Sequence, residues 1–292
     1  MSNNLLAGLG SLGLENLENL DVFEKEATQD EKASKQPEIK EEDLLFDKSY
    51  QCPVCDNEFK VKMVRTGKIR PSSTDLDLRP RHEVCDVLKY DVVLCNHCGY
   101  AALTKNFGFL APTQKKLIRE NISKNYHPKA GLEELKTYSY EEALERHKLV
   151  LANTIVKHGK ASEKANVCLK TAWIVRGMAE EYDPNAPDYQ EKLEEAKKTE
   201  QQFLATAYDG FIKARESEHF PIAGMNQNTL DYLISALALN LEHFDVATKL
   251  IGGILTSKDA NRRMKDKALE MKDIIRERKR IASLEKEENT EE

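Results

Sequence analysis

The residues of this chain best suited to chemistry are Cys52-Pro-Val-Cys55 and Cys95-Asn-His-Cys98-Gly99. Two cysteines separated by two residues fit a knuckle turn that presents both sulfurs to one tetrahedral ion. Two such pairs complete a closed four-sulfur site, the usual signature of structural zinc. The spacing therefore predicts one structural Zn2+ held by Cys52, Cys55, Cys95 and Cys98. An iron–sulfur cluster or redox-active dithiols are the alternatives open to the same residues. A closed site leaves no position for a substrate, so the motif explains what holds the N-terminal third together rather than what the protein does. Gly99 follows the second pair where a positive φ is needed, and Asp56-Asn57 serves the same turn after the first, since Asn tolerates that conformation.

Other reactive side chains read more plainly. His82 and Cys85 lie between the pairs, with only His97 nearby, too few donors for a second closed metal site. A His between paired cysteines is expected to point outward. Cys168, among Val167, Leu169 and Ala172, reads as a small buried hydrophobe, and Trp173, the single tryptophan, as core. Asp75, Asp77, Arg79 and Arg81 form a polar cluster in a breaker-rich insertion; local ion pairs on a solvated loop are the expectation, and an acid/base or phosphate-binding constellation the alternative. The chain has no phosphate-binding Walker loop, Gly-rich dinucleotide fingerprint, His-Glu-x-x-His or Gly-x-Ser-x-Gly elbow.

The elements that must position these residues follow from composition and periodicity. The 292 residues suffice for two ordinary domains, with 40% hydrophobic and 32% charged residues and a net charge of -6. That balance is not built to attract nucleic acid through its overall field. The acidity is concentrated between Glu15 and Asp47, whereas the cysteine segment carries Lys60, Lys62, Arg65, Lys68, Arg70, Arg79, Arg81 and Lys89, a charge that can offset four thiolates and one ion. No apolar run approaches the roughly 20 residues needed to span a bilayer. The start, Met-Ser-Asn-Asn-Leu-Leu, has no basic flank or cleavage signature, and six cysteines in an unexported chain suit a reducing cytoplasm.

The fold expectation is α+β, mostly α: a small zinc ribbon-like β module followed by a tetratricopeptide-like helical-hairpin domain. Residues 1–45 read as a disordered acidic tail with a leucine-dotted start (Leu5, Leu6, Leu9, Leu12, Leu14, Leu17 and Leu20). Residues 46–110 form the ribbon-like module, with strands around Phe59-Val61-Met63 and Tyr90–Leu94, and 39 residues between Cys55 and Cys95 leave room for an elaborated loop. Residues 111–260 form the helical domain, with helices over Thr113–Ser123, from a cap at Ser139 to Lys157, from Ser162 to Glu181, Asp188–Glu218, Asn228–Leu241 and Phe244–Thr256. Residues 261–292 are a charged helix and tail. The repeat reading rests on Ser235, Phe244, Ala247 and Ile251, and on the likeness of Tyr140-Glu-Glu-Ala143 to Phe244-Asp-Val-Ala247. A generic helical bundle is its alternative.

With these motifs placed, the chain resembles the bacterial family filed as domain of unknown function 2225. The likeness is carried by Cys52-Pro-Val-Cys55 with Phe59, by Asp75-Leu-Asp77, by Tyr90-Asp-Val-Val-Leu-Cys95-Asn-His-Cys98-Gly99-Tyr100-Ala101, by Ala161-Ser-Glu-Lys-Ala165 and by Leu169-Lys-Thr-Ala172-Trp173. It covers about residues 46–258. The resemblance implies that Asn96 stands where proline is typical, that Cys85 replaces a turn residue, and that the setting is the bacterial cytoplasm; it implies no reaction. The functional expectation is a non-catalytic protein-interaction or adaptor module that binds a protein or peptide partner through its helices, with Arg65, Arg70 and Tyr100 on an exposed ribbon face. A nucleic-acid-binding ribbon and an enzyme with its site around Asp75 and Asp77 are the rivals.

Overall fold

The computed structural model of the chain describes residues 39–108, 110–131 and 134–288. The leucine-dotted start and the acidic stretch that follows it, to residue 38, lie outside the described residues. The architecture is α+β and mostly α, with small antiparallel sheets preceding a helical region.

Two hairpins carry the cysteines. Strand β1 (Leu45–Gln51) pairs antiparallel with β2 (Glu58–Val64), from Leu45↔Val64 to Gln51↔Glu58. Alternation is clear at the start of β2, where Phe59 and Val61 are buried and Lys60 is exposed. Strand β1 shows almost none, because most of its side chains after Leu45 face water. A two-residue pair, β3 (Ser73–Thr74) with β4 (Pro80–Arg81), lies in the insertion. Strands β5 (Val92–Leu94) and β6 (Ala101–Leu103) form the second hairpin, and all six residues are buried. The strand expected from Tyr90 begins later: Val87–Tyr90 is a 3-10 turn capped by Asp86, whose carboxylate accepts from Leu88 N.

Helix α1 (Pro112–Ile118) runs on into a π turn, Arg119–Ser123. Helix α2 (Tyr140–Val156) is capped by Ser139, whose hydroxyl accepts from Glu142 N. Helix α3 (Ala161–Glu180) starts one residue before Ser162, which sits in its first turn and donates from both N and Oγ to Glu218. Then come α4 (Tyr189–Ser217), α5 (Gln227–Asn240, capped by Asn226), α6 (Phe244–Thr256) and α7 (Arg262–Glu288).

These elements share cores across the chain. The β5–β6 hairpin buries Val92, Leu94, Ala101 and Leu103 against Val150 of α2 and Val167 of α3. The largest core joins α3 to α7 through Leu169, Trp173, Phe211, Leu233, Ile251 and Met271. Fully burying a side chain of this size stabilises by about 1.5–3 kcal/mol. The matched small residues Ala143 and Ala247 are both fully buried, and Ser235 Oγ donates to Ala247 O at 3.3 Å where α5 meets α6. The charged helix α7 packs through a thin apolar stripe of Ala268, Met271 and Ile275.

Candidate metal centre

Each cysteine pair is the turn of a hairpin. In the first, Cys52 N donates to Asn57 O and Asp56 N to Cys52 O, both at 3.0 Å. In the second, Cys95 N donates to Tyr100 O and Gly99 N to Cys95 O, both at 2.9 Å. Gly99 takes φ 72°, as its place in the turn requires; in the first turn it is Asp56, at φ 62°, and not Asn57 that adopts the left-handed conformation.

The four sulfurs converge on one point. Cys52 Sγ lies 3.6 Å from Cys98 Sγ, Cys55 Sγ lies 3.6 Å from Cys95 Sγ, and all four are within 4.8 Å of one another. A tetrahedral ion with bonds of about 2.3 Å would separate its sulfurs by about 3.8 Å, whereas a disulfide would bring a pair to about 2.05 Å. The donor set therefore fits a single metal ion. Val54 N donates to Cys52 Sγ and Asn57 Nδ2 to Cys55 Sγ, each at 3.4 Å. Cys52, Cys95 and Cys98 are buried and Cys55 is partly exposed.

The thiols do not ionise independently. Hydrogen bonds from Cys95 and then Cys98 hold the Cys52 thiol far below its ordinary value. Its bonds to Cys52 and then Cys95 push Cys98 well up. Four thiolates this close need a cation at their centre.

Helical elements clasp both turns from behind. Arg119, in the π turn after α1, donates from Nε and Nη2 to Val54 O, at 2.8 Å from Nε. Asn153 of α2 donates to Gly99 O at 3.0 Å. A Cβ on Gly99 would stand 2.5 Å from the Tyr126 ring, so glycine is required there for space as well as for conformation. Asn96 Oδ1 accepts from Tyr126 OH at 3.0 Å and Lys129 N at 3.2 Å, and its Nδ2 donates to Lys129 O at 3.0 Å. Asparagine at this position thus ties the second turn to the loop that leads toward α2.

A family model described as an uncharacterized protein conserved in bacteria, DUF2225, matches residues 45–279. The chain belongs to this family. The match reaches well into α7, some way beyond the resemblance noted from the motifs. No curated protein and no solved structure matches the chain.

In this DUF2225 chain the second half of the insertion, residues 75–81, departs from expectation. That half is not a solvated loop, since Asp77 and Arg79 are each only 2% exposed, whereas residues 70–74 before it face water as expected. Asp77 accepts from Trp173 Nε1 at 2.9 Å and from Arg176 Nη2 at 2.7 Å. Asp75 bridges Arg81 at 2.7 Å and Arg176 at 3.1 Å. Arg79 donates to Glu180 at 3.1 Å and Asp86 at 3.3 Å, and Arg81 to Glu180 at 2.6 Å. Gly177 makes room for this, because a Cβ there would meet the Tyr140 ring at 2.5 Å and Arg79 at 2.7 Å. Burial opposes the charge on Asp75, but Arg81 and Arg176 outweigh it and hold the carboxyl below its ordinary value. Burial likewise opposes the charge on Arg176, and Asp77 and Glu200 outweigh it, raising its pKa. The cluster pins the insertion to α3, and its carboxylates are engaged rather than free to act as a base.

Tyr100 also departs from expectation. It is fully buried, packs on Phe107 at 4.9 Å between ring centroids, and donates to Phe107 O, so it is the core of the cysteine region and not an exposed contact. Arg65 and Arg70 are exposed as expected. His97 points outward, and His82 and Cys85 lie outside the four-sulfur group. Cys85 and Cys168 are buried thiols, pushed up by burial to about 12 and about 11. Among the basic residues of the region, Lys62, Arg79, Arg81 and Lys89 are paired with carboxylates, which thins the cationic face. Arg119, Tyr126 and Asn153 were not expected at the site. Only Asn153, a polar residue on the buried face of α2, left a trace in the sequence.

No helix among the described residues is long and apolar enough to cross a membrane.

Proposed function

We propose that this protein is a non-catalytic protein-interaction module of the bacterial cytoplasm, with one structural zinc ion held by Cys52, Cys55, Cys95 and Cys98. A four-sulfur tetrahedron suits zinc or an iron–sulfur centre. Sulfurs converging on one point favour the single ion, since a cluster would hold them further apart.

The observation that carries the interaction reading is an open groove of about 730 Å³ running along α3. It lies between the loop after β6 and the turn between α4 and α5, away from the sulfurs. The helix pairs around it are read as tetratricopeptide-like, supported by the close α5–α6 approach at Ser235. The engaged carboxylates of Asp75 and Asp77 support a non-catalytic role.

Native mass spectrometry of the protein purified gently from its own cells tests the proposal. One zinc ion and a defined protein partner are expected. Co-eluting RNA or DNA would replace it with the nucleic-acid reading, and metal-free material from fresh reduced cells would remove the zinc assignment.

A further inference from the structure

The groove along α3 has a direction. Its floor is one helix face, Ser162, Glu163, Asn166, Leu169, Lys170 and Trp173, spanning about 16 Å. One end is apolar, where Leu169 and Trp173 meet Met225 and Leu233. The other end is charged, and there the pairing decides the sign. Glu163 is held by Lys157 at 2.6 Å and Asn106 at 3.3 Å. Glu218 accepts from Ser162 N at 2.9 Å and Ser162 Oγ at 2.6 Å, and Asp91 is paired with Lys170. Asp91 and Glu163 are ion-paired, while Glu218, held only by the neutral Ser162, keeps its charge; four lysines against three carboxylates leave the lining with a small positive excess. Lys105 and Lys160, by contrast, are exposed and form no ion pair among the described residues.

Resting on the protein-interaction reading above, we propose that this groove takes an acidic peptide segment with aliphatic side chains. An aliphatic side chain enters beside the partly exposed Met225, above the buried floor of Leu169, Trp173 and Leu233, and carboxylates meet Lys105 and Lys160. A small metabolite fits the site less well. Small-molecule sites enclose their ligand and converge buried polar groups on it, but this groove is open and no unpartnered buried side chain lines it. An apolar anchor beside a charged rim is how amphipathic segments dock.

Trp173, the single tryptophan, reports on the floor directly. The full-length, metal-loaded protein is titrated with a capped peptide of alternating Leu and Glu while Trp173 emission is followed. Two control peptides carry Lys in place of Glu or Ser in place of Leu. Only the Leu–Glu peptide should shift the emission saturably, and its binding should weaken as salt rises. The double variant Lys105→Glu/Lys160→Glu should bind at least tenfold more weakly. Both positions are exposed, so its circular dichroism and metal content should match the parent. Met225→Ala, at a half-buried position, should weaken binding without changing charge.

The assignment is overturned by no emission shift, by equal binding of the double variant, or by equal binding of the lysine peptide. Decanoate binding more tightly than the peptide would overturn it in favour of a small amphiphile. If the peptide fails while a co-purified partner stays bound to the double variant, the groove assignment falls and the interaction reading stands. If the peptide fails and the parent protein carries no partner either, both fall.

Discussion

The four-sulfur centre and the carboxylate–arginine cluster are both dense knots of polar groups, yet the chain assembles them over very different distances. Each cysteine pair is complete within one hairpin turn, and only the joining of two turns is long-range. The cluster joins Asp75, Asp77, Arg79, Arg81 and Asp86 to Trp173, Arg176 and Glu180, about a hundred residues away in sequence. The sulfur centre needs turn geometry and a cation supplied from outside. The cluster supplies its own counter-charges, but only once α3 is in place. Buried charges are costly unless the whole set is satisfied, so removing one member is expected to cost more than the pair contributes.

The largest effect is expected from breaking the sulfur centre. Metal binding to structural zinc peptides contributes apparent free energies of about 10–16 kcal/mol. Cys95→Ser should therefore abolish stoichiometric metal and loosen both hairpins, while α5, α6 and α7 keep their packing. Metal analysis with thermal melts followed by circular dichroism checks this; a variant that keeps its metal and its melting curve contradicts it.

Asp77→Asn, in the cluster, should cost about 1–3 kcal/mol: Asp75 and Glu200 still balance Arg176, but the amide cannot accept from both Trp173 Nε1 and Arg176 as the carboxylate does. Metal content should not change. Urea unfolding measures the loss, and a cost below 1 kcal/mol would mean that the cluster is not a clasp.

A glycine in each region sharpens the contrast. Gly177→Ala forces Tyr140 and Arg79 aside, at about 1–3 kcal/mol, offset by about 1 kcal/mol of helix propensity. Gly99→Ala meets the Tyr126 ring and adds about 1–2 kcal/mol for its left-handed backbone. Gly99→Ala should be the more damaging of the two, and only it should lower metal retention in a chelator competition.

The smallest effect is a pH dependence. The Asp75 carboxyl is held below its ordinary value of 3.8, so its stabilisation is complete above that value and is lost as pH falls through the lowered one. The stability advantage of the parent over Asp75→Asn should shrink over that acid range and stay constant between pH 5 and about pH 7. Urea midpoints measured across pH decide this, and an advantage independent of acid would contradict the ion pairs.

The same contrast separates what was legible in the sequence from what was not. Cysteine spacing is local information, and the sulfur set could be read directly, as could Gly99. The Ser139 cap and the limits of α6 were equally local. Strand β1 was hidden because its outward-facing side chains show no alternation. The segment of Asp75 and Asp77 looked like a surface loop because its arginine and tryptophan partners on α3 are about a hundred residues away. Tyr100 looked exposed for a similar reason: Phe107 and the β1–β2 hairpin cover it only in the folded chain. The groove is built from many separate segments, from Leu78 to Leu233, and has no local signature at all.

The central claim is that one ion locks two hairpin turns to helical elements that clasp them from behind. Hydrogen exchange on the metal-loaded protein, before and after stripping with a chelator, tests it most directly. The account predicts that stripping exposes the amides of Val54, Cys95 and Gly99, together with those of the Arg119–Ser123 turn, while the α5–α6 pair stays protected. Unchanged protection at both cysteine turns after complete metal removal would contradict it.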